Sequence, residues 1–169
     1  SQGAVTVTPS DYTGELERFA TPKVKTIEDL AQAPYNVAAE AQIKTLVFIA
    51  EDKPAIALVR GDDQINEAKL CGAFGTAIFR PAEAEEIRAA LGAHPGSLGA
   101  VGVKDIPVFI DEQLRNAAGM MTGANEDGFH IRNVNVARDL PDVQWADLRT
   151  VREGELSESG QPLKIQRAI

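Results

Sequence analysis

Few residues in this chain are equipped for chemistry: Lys69 in QINEAKL, His130 in FHIRNVNV, His94, Cys71 and the glycine-rich stretch GAHPGSLGAVG. Ile65, Ala68, Lys69 and Gly72 recur at helical offsets of three and four, which predicts that Lys69 shares a stripe with core-facing residues. A lysine there either lays its methylene stem over apolar surface with its ammonium in water, or holds an anion in a cleft. Around His130 the apolar positions are 129 and 131, then 134 and 136, so the alternation changes phase and implies a bulge or a strand end. A histidine beside such an irregularity binds substrate or is a satisfied polar residue.

Other chemistries find less support. Two histidines far apart and one cysteine give no ligand pair at helix or turn spacing, so no metal is expected. Cys71 reads as a small buried hydrophobe, and no nucleophile elbow is present. The stretch from Gly92 to Gly102 fits neither the dinucleotide nor the Walker pattern, but its backbone amides could hold a ribose or a carboxyl ester.

These residues need elements to position them. Thr26 followed by Asp29 predicts a helix N-terminus, and Asn36 a second helix through VAAEAQIK. TLVFIA (45–50) and PAIALVR (54–60) predict two central strands joined at Glu51-Asp52-Lys53. A helix should then carry Asn66 to Cys71, TAIF (76–79) should form a short strand, and Pro81-Ala82-Glu83 should open a helix ending at Gly92. PVFID (107–111) predicts a strand, EQLRNAA a helix, TGANEDG a turn and Phe129 to Val136 a further strand, with Trp145 as packing. The order is mixed α and β, and the fold is expected to begin near residue 20.

At 169 residues and 18.1 kDa, one domain is the expectation. A lone cysteine and no apolar run long enough to span a bilayer point to a cytoplasmic, soluble protein with no membrane partner. A net charge of −8 and 5% aromatic residues argue against broad nucleic-acid binding, so any nucleic-acid contact must be small and local.

KTLVFIA, ALVRGDDQINEAKL, GSLGAVG, IPVFID, GANEDGFHIRNVNVARD, ADLRTVREGE and LKIQRAI stand in an order and spacing that resemble the editing insertion domain of bacterial prolyl-tRNA synthetase. That family also has free-standing YbaK-type relatives. The resemblance covers about residues 22 to 169 and implies an α+β fold, a mixed β-sheet or partly closed barrel surrounded by helices. It divides the chain into an extension or linker (1–20), an aminoacyl-tRNA editing domain (21–152), and a polar linker with a short segment leading toward the rest of a synthetase (153–169).

The implied activity is hydrolysis of the aminoacyl ester of alanyl-tRNA(Pro), with no cofactor and no metal, acting on the acceptor end of a proline tRNA carrying alanine. Lys69 matches the lysine of the family's LNEVK-like motif and is implied to be catalytic. His130 matches the histidine of the GAN motif and is implied to shape the amino-acid pocket. Lys44 and Thr45 match the KTL motif, and Gly96, Ser97, Leu98 and Gly99 match the glycine loop, with Ala100 where proline is usual. The chain then reads as an insertion excised from a synthetase. The alternatives are a free-standing deacylase for another small amino acid and a silent module that binds the tRNA acceptor end.

Overall fold

The computed structural model describes residues 14–151. The expected linker and terminal segment at 153–169, and most of the expected extension at 1–20, lie outside these residues. Among the described residues eight strands form two open sheets (β1 Glu17–Ala20, β2 Ile43–Ala50, β3 Lys53–Arg60, β4 Phe79–Pro81, β5 Val108–Asp111, β6 Met120–Gly123, β7 Phe129–Val134, β8 Gln144–Ala146). Four α-helices among the described residues accompany them (α1 Ile27–Ala31, α2 Glu67–Phe74, α3 Ala84–Leu91, α4 Val136–Asp139). The larger sheet has the order β4-β2-β3-β5-β8 and the smaller β1-β7-β6. The mixed α+β architecture is therefore as expected, but the partly closed barrel is not: the sheets stay separate, joined by a parallel bridge between Gln42 and Met121 and by the Thr122 hydroxyl donating to the Ile43 carbonyl.

The apolar run of β3 explains the larger sheet. Ala55 to Val59 are all buried because β2 pairs with β3 antiparallel on one side and β5 pairs with it parallel on the other. Its side chains alternate between two cores. Ile56 and Leu58 join the main cluster with Ile110, Leu114 and Met120, while Ala57 and Val59 meet Leu70 and Phe109 under α2. The β2–β3 hairpin turns on Glu51 (φ 46°) and Asp52 (φ 70°), the left-handed pair that a two-residue hairpin requires.

Several local expectations hold. Thr26 caps α1 with a capping box to Asp29, and the helix expected over Asn66 to Cys71 is α2, although Asn66 stands outside it as the N-cap, accepting from the Lys69 amide. α3 ends at Gly92 in the left-handed conformation.

Others give way to tertiary pairing. The helix expected from Asn36 shrinks to a 3-10 turn at Ala39–Ala41, because Ile43 and Lys44 are drawn into β2 opposite Arg60 and Val59. The helix expected in EQLRNAA shrinks to a 3-10 turn at Glu112–Leu114, stopped where Asn116 takes φ 64°. The strand expected at 76–79 sits later, at Phe79–Pro81, and β7 stops at Val134. β1, β6 and β8 were not anticipated, and β1 carries the order back to Glu17.

The Lys69 stripe is also out of phase. Ala68 and Gly72 are exposed, whereas α2 packs through Leu70, Ala73 and Phe74. The ring of Phe74 sits 5.7, 5.3 and 5.2 Å from those of Phe48, Phe79 and Phe109, and these aromatic contacts set the helix phase. Cys71 on the same helix is only half-buried.

One buried carboxylate ties the chain's later segment to the large sheet. Asp111 accepts from the Leu148 amide (2.7 Å), the Arg149 amide (3.1 Å) and the Gln113 amide (2.8 Å). Asp111→Ala leaves three amides without their acceptor and should lower stability by about 2–4 kcal/mol in urea unfolding, with a loss under about 0.5 kcal/mol contradicting this role.

Candidate active site

A cleft of about 210 Å³ opens where the two sheets meet, and its walls come from five parts of the chain. The start of β2 supplies Ile43, Lys44 and Thr45, and β6 supplies Met121, Thr122 and Gly123. Lys25, Thr26 and Ile27 at the head of α1 close one end, Gly96 and Leu98 of the glycine loop another, and His130 on β7 stands at the back.

Close backbone contact builds the glycine wall. A Cβ on Gly99 would lie 2.1 Å from the Gly123 carbonyl oxygen, and one on Gly123 would lie 2.2 Å from the Ser97 carbonyl carbon. Only glycine permits this approach. Asn125 then clamps the loop: its Oδ1 accepts from the Gly99 amide and its Nδ2 donates to the Gly99 carbonyl, both at 2.8 Å. The Asn125 amide donates to the Ser97 carbonyl at 2.8 Å, and the Ser97 hydroxyl accepts from the Gly128 amide at 3.2 Å.

The four expected loop residues therefore divide by task. Ser97 and Gly99 hold the loop in place, while Gly96 and Leu98 face the cleft. The amides of Gly96 and Leu98 donate to no acceptor among the described residues.

His130 is 5% exposed, and burial pushes its imidazole down to about 4, so it is neutral at pH 7. The phase change read in the sequence is a bulge: β6 advances from Met120 to Thr122 while β7 runs from Val134 to Ile131, with Asn133 at φ 68°. On the strand beyond that bulge His130 pairs with Gly123 on one side and Phe19 on the other. Its Nδ1 lies 2.6 Å from the buried Thr21 hydroxyl.

Lys44 donates from Nζ to the Asp63 carbonyl at 2.7 Å, and burial lowers its affinity for the proton despite Asp63, Glu28 and Asp62 nearby. The Thr45 hydroxyl is buried with no partner among the described residues, the kind of unmet polar group that calls for a functional explanation. Among the described residues no carboxylate lines the cleft, so its charge comes from Lys25 and Lys44.

Lys69 is not brought to this cleft. Its ammonium donates to the Asp147 carboxylate at 3.0 Å and to the Arg149 carbonyl at 2.8 Å, beside a separate depression lined by Trp145. A chain of contacts connects it back, since the Arg149 guanidinium lies 3.9 Å from the Asp63 carboxylate, whose residue holds Lys44.

Sequence reading missed Lys25, Gln42, Asn125 and Thr21. Gln42 is buried and donates from Nε2 to the Ile27 and Val37 carbonyls at 3.0 Å, holding α1 against β2. Asn125 lay in view within TGANEDG, but its clamp spans a loop no periodicity connects. Thr21 had no signal, because the fold was expected to begin beside it.

The chain matches the family model described as an aminoacyl-tRNA editing domain over residues 21–140. It is 55% identical over 142 residues to a proline–tRNA ligase of Anaeromyxobacter sp. (strain Fw109-5), covering 82% of this chain and 25% of the ligase. It is 45% identical over 164 residues to that of Ligilactobacillus salivarius (strain UCC118), covering 96% of this chain and 28% of the ligase. The chain thus spans about a quarter of the length of these curated relatives. A solved structure described as a candidate trans-editing enzyme for prolyl-tRNA synthetase superposes with a TM-score of 0.69 at 25% identity, covering 80% of this chain and 87% of that one.

Two outcomes follow from this geometry. Gly99→Ala must push the loop off β6 and should cost at least about 2 kcal/mol in thermal or urea unfolding; a neutral effect would mean the two backbones do not meet. The unfolded state binds the His130 proton below its ordinary value of 6.5, whereas the folded state does so only near 4. Stability is therefore retained above pH 6.5 and lost toward pH 4, with a slope approaching about 1.4 kcal/mol per pH unit that His130→Gln should remove. Identical pH profiles for the two proteins would contradict the burial of a neutral ring.

Proposed function

The chain belongs to the aminoacyl-tRNA editing domain family, and from that premise we propose that its cleft hydrolyses alanine wrongly esterified to proline tRNA, a post-transfer editing step in the cytoplasm. A pocket built for proline admits the smaller alanine, since missing methylenes give only about 1–3 kcal/mol of discrimination. A second and smaller site is the physical remedy. The observation that carries the reading is the cleft itself: about 210 Å³, walled by a neutral histidine, with two uncommitted backbone amides on the glycine loop.

In this reading the acceptor end of proline tRNA enters past Lys25, whose ammonium offsets phosphate charge at the mouth. The Gly96 and Leu98 amides donate to the ester carbonyl as oxyanion character develops, and the Thr45 hydroxyl and Lys44 ammonium add to that stabilisation. His130 limits the depth available to the amino-acid side chain and shuts out proline. Water is the nucleophile. With no carboxylate among the described residues of the wall to act as base, a ribose hydroxyl of the terminal adenosine positions it.

Lys69 enters as the residue implied by the family motif, and the contacts support an indirect role. By holding Arg149, which faces Asp63, it fixes the support on which Lys44 rests. The net charge of −8 leaves tRNA delivery to the remainder of a prolyl-tRNA synthetase, as the match to only about a quarter of each ligase's length supports. A free-standing trans-editing deacylase is the second reading, favoured by the structural match that covers 87% of a chain of that description.

Single-turnover deacylation at low salt, with alanine and with proline on the same proline tRNA, tests this. Alanine should be released at least about 100-fold faster than proline, and both Lys44→Ala and Lys69→Ala should slow its release at least about tenfold while unfolding cooperatively. Hydrolysis of neither ester at high protein concentration, with tRNA still bound, would leave an acceptor-end binding module. Full activity in Lys69→Ala would remove that residue from the mechanism.

A further inference from the structure

The His130 ring has one hydrogen-bond partner among the described residues, and that partner decides what the ring can offer the cleft. Thr21 follows the last residue of β1 and is fully buried. Its amide donates to the Gly128 carbonyl at 2.7 Å, which fixes it beside the start of β7. Its hydroxyl lies 2.6 Å from His130 Nδ1 and has no other partner among the described residues.

A neutral imidazole carries one proton, and the two tautomers leave different accounts at this contact. If Nδ1 carried the proton and donated to Thr21, the Thr21 hydroxyl hydrogen would be buried with no acceptor, a costly arrangement. If instead the hydroxyl donates to a bare Nδ1, both groups are satisfied and the ring proton sits on Nε2. With Nδ1 committed, Nε2 is the nitrogen left for the cleft that His130 lines.

We propose that Thr21 is a positioning residue that fixes His130 as the Nε2–H tautomer, so that the ring presents a hydrogen-bond donor, not a base, to the acyl group. This rests on the ester-hydrolysis reading for its consequence, though the tautomer itself does not. As a donor, Nε2–H favours the ester carbonyl as it gains negative charge and adds to the loop amides. It accepts no proton from water and no hydrogen bond from the substrate ammonium. Selection by His130 then acts through orientation as well as size, because an acyl group must turn its oxygen toward the ring.

Long-range nitrogen–proton correlation spectra of the histidine-labelled protein at pH 7 test this directly, with His94→Gln assigning the two rings. The expected result is a pyrrole-type Nε2 and a pyridine-type Nδ1 for His130. A protonated Nδ1, or averaged signals at both nitrogens, overturns the proposal. Thr21→Val should average the two tautomers and lower kcat for alanyl ester release about tenfold with KM within about twofold, whereas Thr21→Ser keeps both tautomer and rate. The Nε2–H signature with unchanged kcat in Thr21→Val overturns the positioning role. Absence of hydrolysis by the wild type would refute the editing function while leaving the tautomer result standing.

Discussion

The site depends on two backbones that touch. Where Gly99 meets Gly123 there is no room for a Cβ on either side, and this contact sets the distance between the glycine loop and β6. Everything lining the cleft is measured from that contact. β6 carries Thr122 and Gly123 against the start of β2, so Lys44 and Thr45 face a loop whose position is already fixed. Asn125 converts a flexible glycine stretch into a wall by taking both polar groups of the Gly99 peptide. The loop's conformational freedom is therefore spent on close approach, not on motion, and the uncommitted amides of Gly96 and Leu98 are presented at a fixed place.

The opposite wall follows the same logic with side chains. The bulge in β7 places His130 next to Gly123, and burial keeps the ring neutral at physiological pH. The cleft thus pairs a neutral, shape-defining back wall with lysines toward its sides and mouth. That division suits a substrate with a small uncharged side chain at one end and phosphates at the other.

Much of this was legible in the sequence wherever a local pattern carried the information. The hairpin of β2 and β3, the cap at Thr26, and the bulge near His130 each rest on residues close together in the chain. What was not legible depends on pairing between distant segments. The helix expected after Asn36 lost to the β2 ladder, and the phase of α2 was set by aromatic rings from three strands, which moved Lys69 off the expected face. β1 and β6 are short and lack alternation, so the strands that carry Thr21 toward His130 and Gly123 toward the loop left no periodic trace. Motif resemblance brought forward Lys44, Thr45, His130 and the glycine loop, and the structure gathers Lys44, Thr45, Gly96, Leu98 and His130 around one cleft. The motif resemblance alone does not divide the loop residues into those that face the cleft and those that hold the loop. The hydrogen bonds of Asn125 make that distinction.

The central claim is that a small aminoacyl adenosine occupies the cleft between the sheets. Backbone amide spectra recorded during titration with the stable amide analogue 3′-alanylamino-3′-deoxyadenosine test it most directly. The account predicts that Gly96, Leu98 and residues next to His130 shift together and saturate, with the prolyl analogue binding far more weakly. Shifts confined to the neighbourhood of Lys69 and Trp145, with the glycine loop unmoved, would contradict it.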